Sequence, residues 1–321
     1  MKMNEFDLIH RYFFRPTSES DLVLGIGDDA AIIAPVANHH ILVSTDMLVE
    51  GRHFFTDTDA YAVGHKALAV NLSDMAAMGA KPRWVFLSLA LPQADSMWLS
   101  RFSEGFLALA TRYGVSLVGG DTTCGPLTVS VTILGEVPAG RALRRDGAKE
   151  GEDIWVSGLL GMAALAVQYR LGDLVLAVPA DILSECHDKL DFPEARIELG
   201  IKLRTLASAM VDVSDGLLAD LGHIVQASRV GAIIDVDKLP THPWLASQRT
   251  QLIETLLTGG DDYELCFTAP RQYRDAIASL AHTAACPLTR IGHIVAKKGI
   301  KLLTQGNEIF MRRKGFDHFH H

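Results

Sequence analysis

The stretch AYAVGHKALAVNLSDMAAM, residues 60–78, gives the clearest indication of the fold. Its apolar residues recur near helical spacing, and Gly79 follows as a stop signal. The sequence therefore predicts a helix over 60–78. Segments rich in β-branched residues predict strands on either side of it, at 41–45 and 127–137.

The same patterns predict the other elements. Further strands are expected at 22–24, 154–157, 210–213, 232–236, 263–267 and 290–295, and further helices at 96–112, 194–207, 217–228, 248–257 and 271–282. A polar, glycine-rich stretch at 138–152 separates two halves, so we place the domains at 1–140 and 141–321. Strands and helices do not alternate strictly, which favours an α+β, or mixed α/β, fold over a doubly wound sheet.

Composition limits the classes of protein. The chain has 321 residues, 48% of them hydrophobic, which suits two globular domains. Its formal charge of −8 argues against a nucleic-acid partner. No apolar run is long enough for a membrane span, so we expect no membrane association. The four cysteines form no CxxC pair and are expected to be buried free thiols in a reducing, cytoplasmic setting.

Acidic residues recur in one kind of place. Five segments set Asp beside Gly, Ser or Thr, at predicted ends of strands or helices. They are Gly25-Ile26-Gly27-Asp28-Asp29, Ser44-Thr45-Asp46, Gly119-Gly120-Asp121-Thr122-Thr123, Asp212-Val213-Ser214-Asp215-Gly216 and Gly259-Gly260-Asp261-Asp262-Tyr263-Glu264. One such segment is usually a turn or a cap. Five of them, with Asp74 in the helix, predict several Mg²⁺ ions and a polyphosphate ligand, because Mg²⁺ prefers carboxylate and phosphate oxygens.

Familiar nucleotide and calcium motifs do not account for these acids. Residues 25–30 match the dinucleotide fingerprint, but a short strand ended by Pro35 follows where a helix must begin. The Walker A pattern is absent from the sequence. A calcium loop starting at Asp212 would need Gly at its sixth position, where Leu217 stands.

In this order and spacing, the acidic segments resemble those of the thiamine-monophosphate kinases, which belong with the aminoimidazole ribonucleotide synthetase-like ATP-binding proteins. The most specific matches are residues 25–30, 44–46, 51–54, 66–74, 119–123, 214–217 and 263–265. The resemblance implies a two-domain fold, with an N-terminal sheet flanked by helices and a C-terminal α/β domain. It also implies that 1–140 binds ATP and Mg²⁺ and forms a homodimer, while 141–321 completes the substrate site.

The resemblance also implies roles for individual residues. Metal ions would be carried by Asp29, Ser44, Thr45, Asp46, Asp74, Asp121, Asp212 and Asp215. ATP would be contacted by Gly120, Asp121, Arg145 and Ser214. The thiamine substrate would be contacted by His53, Asp261 and Phe316. Many relatives are expected to carry Glu at the position of Asp261.

The implied reaction is a direct, in-line transfer of the ATP γ-phosphoryl group to thiamine monophosphate, the last step in making thiamine diphosphate. The acceptor is a phosphate monoester with a second pKa of ~6, so its oxygen is largely anionic at neutral pH and no general base is required. Two alternatives remain open. One is a related ATP-dependent enzyme with another acceptor, such as formylglycinamidine ribonucleotide or selenide. The other is a non-catalytic protein that binds divalent cations or nucleotides.

Overall fold

The structure, a computed structural model, describes residues 5–15, 21–311 and 315, with side chains from residue 7 onward. Phe316, one of the predicted substrate contacts, lies outside the described residues. The chain divides into a first unit, Met1–Met75 with Ala80–Arg141, and a second unit, Ala76–Gly79 with Ala142–His321. The functions that we assign to the two halves stay predictions.

The first unit holds a four-stranded sheet and its helices. In chain order its elements are α1 (Glu5–Leu8), β1 (Leu22–Leu24), β2 (Ile32–Ile33), β3 (His39–Val49), α2 (Ala60–Ala77), β4 (Lys81–Leu91), α3 (Ser96–Tyr113), β5 (Ser116–Cys124) and β6 (Thr128–Pro138). The sheet order is β3-β6-β4-β5. Strands β4 and β5 are parallel and joined through α3, whereas the other pairs in this sheet are antiparallel.

The helix predicted at 60–78 is confirmed as α2, and it is buried on nearly every side. A helix that is apolar all round is expected inside a domain rather than on its surface. It crosses α3 closely, because a Cβ on Gly64 would lie 2.1 Å from the carbonyl oxygen of Phe102. The buried helix places Asp74 against the sheet.

The second unit is built on a seven-stranded sheet. Its elements are β7 (Asp153–Ser157), α4 (Met162–Leu171), α5 (Ala180–Asp191), α6 (Ile197–Leu203), β8 (Ala209–Val213), α7 (Leu217–Ser228), β9 (Gly231–Asp235), α8 (Pro243–Ser247), α9 (Arg249–Thr258), β10 (Glu264–Ala269), α10 (Arg274–Thr283), β11 (Leu288–Val295), β12 (Gly299–Thr304) and β13 (Asn307–Ile309). The strand order is β13-β12-β9-β11-β7-β10-β8, and only β9 and β12 pair in parallel. The two units together confirm the predicted α+β class.

One ion-pair cluster anchors the sheet of the second unit. The carboxylate of Asp153, 1% exposed, accepts from Arg274 Nε at 2.5 Å and Nη2 at 2.8 Å, and from Arg290 Nη1 at 3.3 Å. Burial alone would raise the pKa of Asp153, but the hydrogen bonds and charges of the two arginines outweigh burial, so its pKa lies below the ordinary value.

Two predictions about local placement are wrong. The segments 44–46 and 119–123 lie inside β3 and β5 rather than at the ends of strands, because full-length pairing with β6 and β4 extends both strands. The cysteines are free as expected, but Cys124 is exposed, because it ends an edge strand. Among the described residues, no helix combines the length and apolarity that a membrane crossing needs.

Candidate functional site

Strand β3 and helix α2 bring three of the predicted metal ligands to one face of the first sheet. The hydroxyl of Ser44 donates a hydrogen bond to Asp74 Oδ2, which joins the strand to the helix. Asp46 follows two residues later on the same strand and therefore points to the same face as Ser44. The structure thus places Ser44, Asp46 and Asp74 on the side of the sheet that faces α2.

Thr45 points the other way. Its Oγ1 lies 2.9 Å from Oγ1 of Thr132 on β6, on the face opposite to Ser44 and Asp46. Val43 and Met47, 62% and 57% exposed, share that face with Thr45. The hydroxyl of Thr45 is therefore separated from the other β3 ligands by the sheet itself.

Gly120 and Asp121 lie on β5, at the edge of the sheet opposite to β3. Three strand spacings of about 4.8 Å separate the two edges, so the sheet alone does not bring Asp121 beside Asp46. Gly120 has φ +150°, and a Cβ there would lie 1.8 Å from the carbonyl oxygen of Leu87 on β4. Only glycine permits this close approach of the two backbones. This explains why glycine, which is unfavourable within strands, occurs inside β5.

The remaining candidates of the first unit lie in loops. Asp29 is exposed between β1 and β2, where its backbone N–H donates to Asp28 Oδ1 at 2.8 Å. His53 is half-buried after β3, and its Nδ1 accepts from the backbone N–H of Val49 at 3.0 Å. Because Nδ1 is an acceptor, the neutral ring carries its proton on Nε2 and presents a donor there.

In the second unit, the loop at 214–216 joins β8 to α7 and is organised by one carboxylate. Asp220 Oδ2 accepts the backbone N–H groups of Ser214 at 3.0 Å, Asp215 at 3.1 Å and Gly216 at 3.1 Å. Three successive N–H groups that converge on one oxygen form the kind of anion-binding concavity called a nest. The loop that carries Ser214 and Asp215, which follows Asp212 and Val213 at the end of β8, is therefore held from inside the protein.

Negative charge is concentrated around this loop. Burial raises the pKa of Asp220 to about 8, and repulsion from Asp212 and Asp215 adds to the shift. The hydrogen bonds from the backbone N–H groups of Asp215 and Ser214 oppose it. Carboxylates that repel one another in this way are stabilised by a nearby positive charge.

A second loop, 259–263, lies directly against the first. The N–H of Asp261 donates to the carbonyl oxygen of Ser214 at 2.9 Å, and the N–H of Tyr263 donates to that of Val213 at 2.8 Å. A Cβ on Gly260 would lie 2.4 Å from the Ser214 carbonyl oxygen. This close contact joins the predicted ATP contact, Ser214, to the predicted substrate contact, Asp261.

The backbone around Asp261 is strained. Asp261 has φ +67° and Tyr263 has φ +50°, in the left-handed region that residues other than glycine seldom adopt. The Tyr263 hydroxyl donates to Asp261 Oδ1 at 2.9 Å. Such strain of about 1–3 kcal/mol per residue persists only where the surroundings enforce it, as they often do at binding sites.

The residues after Asp261 are held by buried polar contacts. Asp262 accepts from the N–H of Gly161, at the start of α4, at 2.9 and 3.1 Å. Burial raises the pKa of Asp262 above its ordinary value, and neighbouring carboxylates add to that shift. Glu264, at the start of β10, accepts from Arg196 Nε at 2.8 Å and Nη2 at 2.5 Å, and from the Ser157 hydroxyl at 2.5 Å.

Arg145, the predicted ATP contact between the two halves of the sequence, is exposed in the second unit. Its carbonyl oxygen accepts from the Ser228 hydroxyl at 2.8 Å, at the end of α7. The N–H of Met210 donates to the carbonyl of the preceding residue, Arg144, at 3.1 Å. These bonds hold Arg145 beside β8, the strand that carries Asp212.

The donor chemistry of these residues fits Mg²⁺. Every candidate ligand side chain offers oxygen, and the charges of Asp212 and Asp215, which repel Asp220, are available for a cation to neutralise. Within the described part of the chain, no three His, Cys, Asp or Glu side chains form a group that could hold a metal ion by themselves. Mg²⁺ is usually held by one or two carboxylates together with phosphate and water, so pairs of carboxylates suit it.

The sequence did not single out Asp220 or Arg196. In the sequence, Asp220 is typical of the acidic residues found in the first turn of a helix. Its position four residues after Gly216 could have indicated a contact with the loop before the helix. Arg196 lies 68 residues before its partner, Glu264, and no local pattern connects them. Asp220 binds the backbone N–H groups of residues 214–216. Arg196 binds the side chain of Glu264, next to the 259–263 loop.

Comparison with known proteins identifies both halves. Residues 27–137 match the family described as AIR synthase related protein, N-terminal domain. Residues 147–305 match the family described as AIR synthase related protein, C-terminal domain.

Individual relatives match along nearly the whole chain. The thiamine-monophosphate kinase of Salmonella typhimurium is 44% identical over 325 residues, covering 99% of each chain. The crystal structure of the thiamine-monophosphate kinase from Stenotrophomonas maltophilia K279a is 48% identical, covers 91% of this chain and 93% of that one, and superposes with a TM-score of 0.84. A structure of AaThiL complexed with AMPPCP and TMP is 32% identical, covers 92% of both chains and has a TM-score of 0.76.

Proposed function

This chain belongs to the thiamine-monophosphate kinase family of AIR synthase related proteins, and we infer that it transfers the γ-phosphoryl group of ATP to thiamine monophosphate, forming thiamine diphosphate and ADP. The full-length match to such a kinase at 44% identity carries this inference. A relative of 32% identity that binds AMPPCP and TMP supports the same pair of ligands.

The reaction needs positioning and charge neutralisation more than proton transfer. The attacking oxygen belongs to a phosphate monoester with a second pKa of ~6 and is already largely anionic at pH 7. No side chain of this chain is therefore assigned as a general base. The residues instead have to hold two polyanions in line, which is the main task in phosphoryl transfer.

We propose four contacts for the donor nucleotide. Ser214, in the loop held by Asp220, and Gly120, on β5, are proposed ATP contacts, with Asp121 beside Gly120. Arg145 offers an exposed guanidinium, which can bind phosphate through two parallel hydrogen bonds. These roles remain proposals.

Magnesium is the proposed cofactor. The residues proposed to hold it are Asp29, Ser44, Thr45, Asp46, Asp74, Asp121, Asp212 and Asp215, with Thr45 the weakest candidate because its hydroxyl lies on the other face of the sheet. When bound, Mg²⁺ neutralises the phosphate charge that builds up during transfer.

The thiamine substrate is assigned to His53, Asp261 and Phe316. His53 presents a donor at Nε2, and Asp261 presents a carboxylate fixed by Tyr263. An anionic group suits the cationic thiazolium ring, and an aromatic ring at Phe316 can stack on it. We keep Asp261 as a substrate contact although its side chain is shorter than Glu.

We also propose a homodimer formed through the first unit, in the cytoplasm. The outer face of β3 exposes Val43 and Met47 beside Thr45, and β3 forms the edge of its sheet. A second copy would cover this apolar face. Sedimentation at micromolar concentration is expected to give a dimer, and Val43→Glu is expected to give a monomer; a monomeric parent would contradict the proposal.

An acceptor panel tests the proposed function. The protein is incubated with ATP and Mg²⁺, either alone or with thiamine monophosphate or formylglycinamidine ribonucleotide, and products are separated by chromatography. We expect ADP and thiamine diphosphate only with thiamine monophosphate. ADP formation with the other acceptor alone would favour a different enzyme of the superfamily, and no ADP in any reaction would favour a binding protein.

A separate experiment tests the metal residues. Asp46→Asn and Asp121→Asn are expected to lose most of the activity while remaining folded, because each removes a charge without changing side-chain volume. Asp173→Asn, at an exposed position after α4, serves as the control and should retain parental activity. Parental turnover by both site variants at saturating Mg²⁺ would contradict the assignment.

A further inference from the structure

Asp220 is a buried acid that the proposed reaction does not use directly. It is 2% exposed and lies in the first turn of α7, four residues after Gly216. One of its oxygens, Oδ2, accepts three backbone N–H groups within 3.0–3.1 Å. Burying a carboxyl group costs free energy unless hydrogen bonds compensate for the lost water. At Asp220 the three backbone N–H groups provide this compensation.

The bonds differ from an ordinary helix cap. In a cap, a side chain before the helix accepts from N–H groups inside its first turn. Here the acceptor is inside α7, and two of the three donors, Ser214 and Asp215, precede Gly216, the residue directly before the helix. The carboxylate therefore fixes the loop before the helix rather than the helix itself.

The same loop is held on its other side by the 259–263 segment. The Ser214 carbonyl oxygen accepts from the N–H of Asp261, and a Cβ on Gly216 would lie 2.7 Å from the Thr258 carbonyl group. With φ +111°, Gly216 also has a backbone that side-chain-bearing residues rarely adopt. The N–H groups of the loop are thus turned inward to Asp220, and its carbonyl at Ser214 is turned to Asp261.

We propose that Asp220 is a positioning residue for nucleotide binding: its carboxylate fixes the backbone of 214–216, so that Ser214 and Asp215 are presented to ATP and its metal ions. This inference rests on the proposed function, because it uses the roles assigned there to those two residues. It assigns Asp220 no contact with substrate or metal.

Three variants of Asp220 test the presence and the position of the hydrogen-bond acceptor, and one control variant tests the effect of a general loss of stability. Asp220→Ala removes the acceptor, Asp220→Glu keeps the carboxyl group but displaces it by one methylene, and Asp220→Asn keeps an oxygen acceptor in place. Leu221→Ala is the control, since it removes a fully buried side chain from the same helix and leaves the Asp220 carboxyl group in place. Binding of AMPPCP in the presence of Mg²⁺ is measured by calorimetry on the full chain, together with thermal stability and kinetics.

We expect Asp220→Ala to weaken binding of AMPPCP with Mg²⁺ by about tenfold or more and to lower kcat/KM for ATP. The Asn variant should lie closer to the parent than the Ala variant, and Leu221→Ala should lose stability with parental binding. Amide exchange at 214–216 without ligand should accelerate in the Ala variant and not in Leu221→Ala.

Binding by the Ala variant within twofold of the parent would overturn the proposal, as would an equal binding loss in Leu221→Ala at equal loss of thermal stability. If the Ala variant does not fold, the Glu variant decides: a fivefold or greater loss supports positioning, and parental binding overturns it. A parent that makes no thiamine diphosphate but binds AMPPCP through Asp220 would sink the proposed function and leave this inference standing.

Discussion

We expect the 261–264 segment to depend strongly on the buried ion pair between Arg196 and Glu264, and removal of Arg196 tests this expectation. The Arg196 and Glu264 side chains are 15% and 6% exposed, and they share two hydrogen bonds of 2.8 and 2.5 Å. Arg196→Met leaves the Glu264 carboxylate with the hydrogen bond from the Ser157 hydroxyl at 2.5 Å and removes both bonds from the guanidinium. Leaving one charge of a buried pair uncompensated costs about 3–5 kcal/mol.

The assay is urea unfolding of the full chain at pH 7, with a thermal scan beside it. For a unit of roughly 180 residues, a loss of ~4 kcal/mol corresponds to a decrease in Tm of roughly 8–16 °C. The double variant Arg196→Met with Glu264→Gln should lose less, since no buried charge remains. Arg144→Met is the matched control, because its pair with Asp146 is 68% and 46% exposed, and exposed pairs contribute at most about 1 kcal/mol.

A loss of less than about 1 kcal/mol in Arg196→Met, or a double variant less stable than the single one, would show that Glu264 does not depend on Arg196 to compensate its buried charge.

Three further predictions follow from the loops, the sheet and the thiols. Gly260→Ala should destabilise the chain by about 1–3 kcal/mol and reduce turnover, because its Cβ would meet the Ser214 carbonyl oxygen. In the control Gly222→Ala, the Cβ meets no atom within 4 Å, so this variant should be neutral or slightly stabilising. Urea unfolding compares the stability of the two variants. Because the pKa of Asp153 is lower in the folded chain, its contribution to stability is present above pH ~4 and is lost as pH falls through the folded-state pKa. The stability gap between the parent and Asp153→Asn should therefore narrow from pH 5 to pH 3, and a constant gap would contradict the ion-pair account. Iodoacetamide at pH 8 should label Cys124 alone among the four thiols, since the other three are buried with raised pKa values; mass spectrometry that finds two or more labelled thiols in folded protein would refute this.

Regular elements with strong local patterns could be predicted from the sequence. The helices predicted at 60–78, 96–112 and 217–228 appear as α2, α3 and α7 within a residue at each end. The helix predicted at 194–207 is shorter, Ile197–Leu203, because loop and turn geometry replaces it at both ends. Strand β4 and helices α4 and α5 were not predicted, although β4 is the central partner that pairs with both β5 and β6.

The acidic segments were recognised by composition, but their geometry was not. Side chains alternate along β3, so Thr45 lies on one face of the sheet and Ser44 and Asp46 lie on the other. This placement could not be predicted from a strand that ends at residue 45, because Asp46 would then lie outside the strand. The glycines of β5 read as a turn because the close approach to Leu87 is a tertiary contact. Sequence patterns identify the residues of a site, and pairing between distant strands decides where they point.

The supporting residues could not be found from spacing. Asp220 is recognisable only when the N–H groups of 214–216 are seen to converge on it. Arg196 and Glu264 meet across 68 residues of sequence. Such residues hold loops from behind, so their types carry no signature of phosphoryl transfer.

The most direct test of the central claim is the amount of thiamine diphosphate formed for each ADP released in a single time course with ATP, Mg²⁺ and thiamine monophosphate. A direct transfer between the two substrates predicts equal amounts at every time point, and no ADP when thiamine monophosphate is left out. ADP released without thiamine diphosphate, or at the same rate without the acceptor, would contradict the assignment of this chain as a kinase acting on thiamine monophosphate.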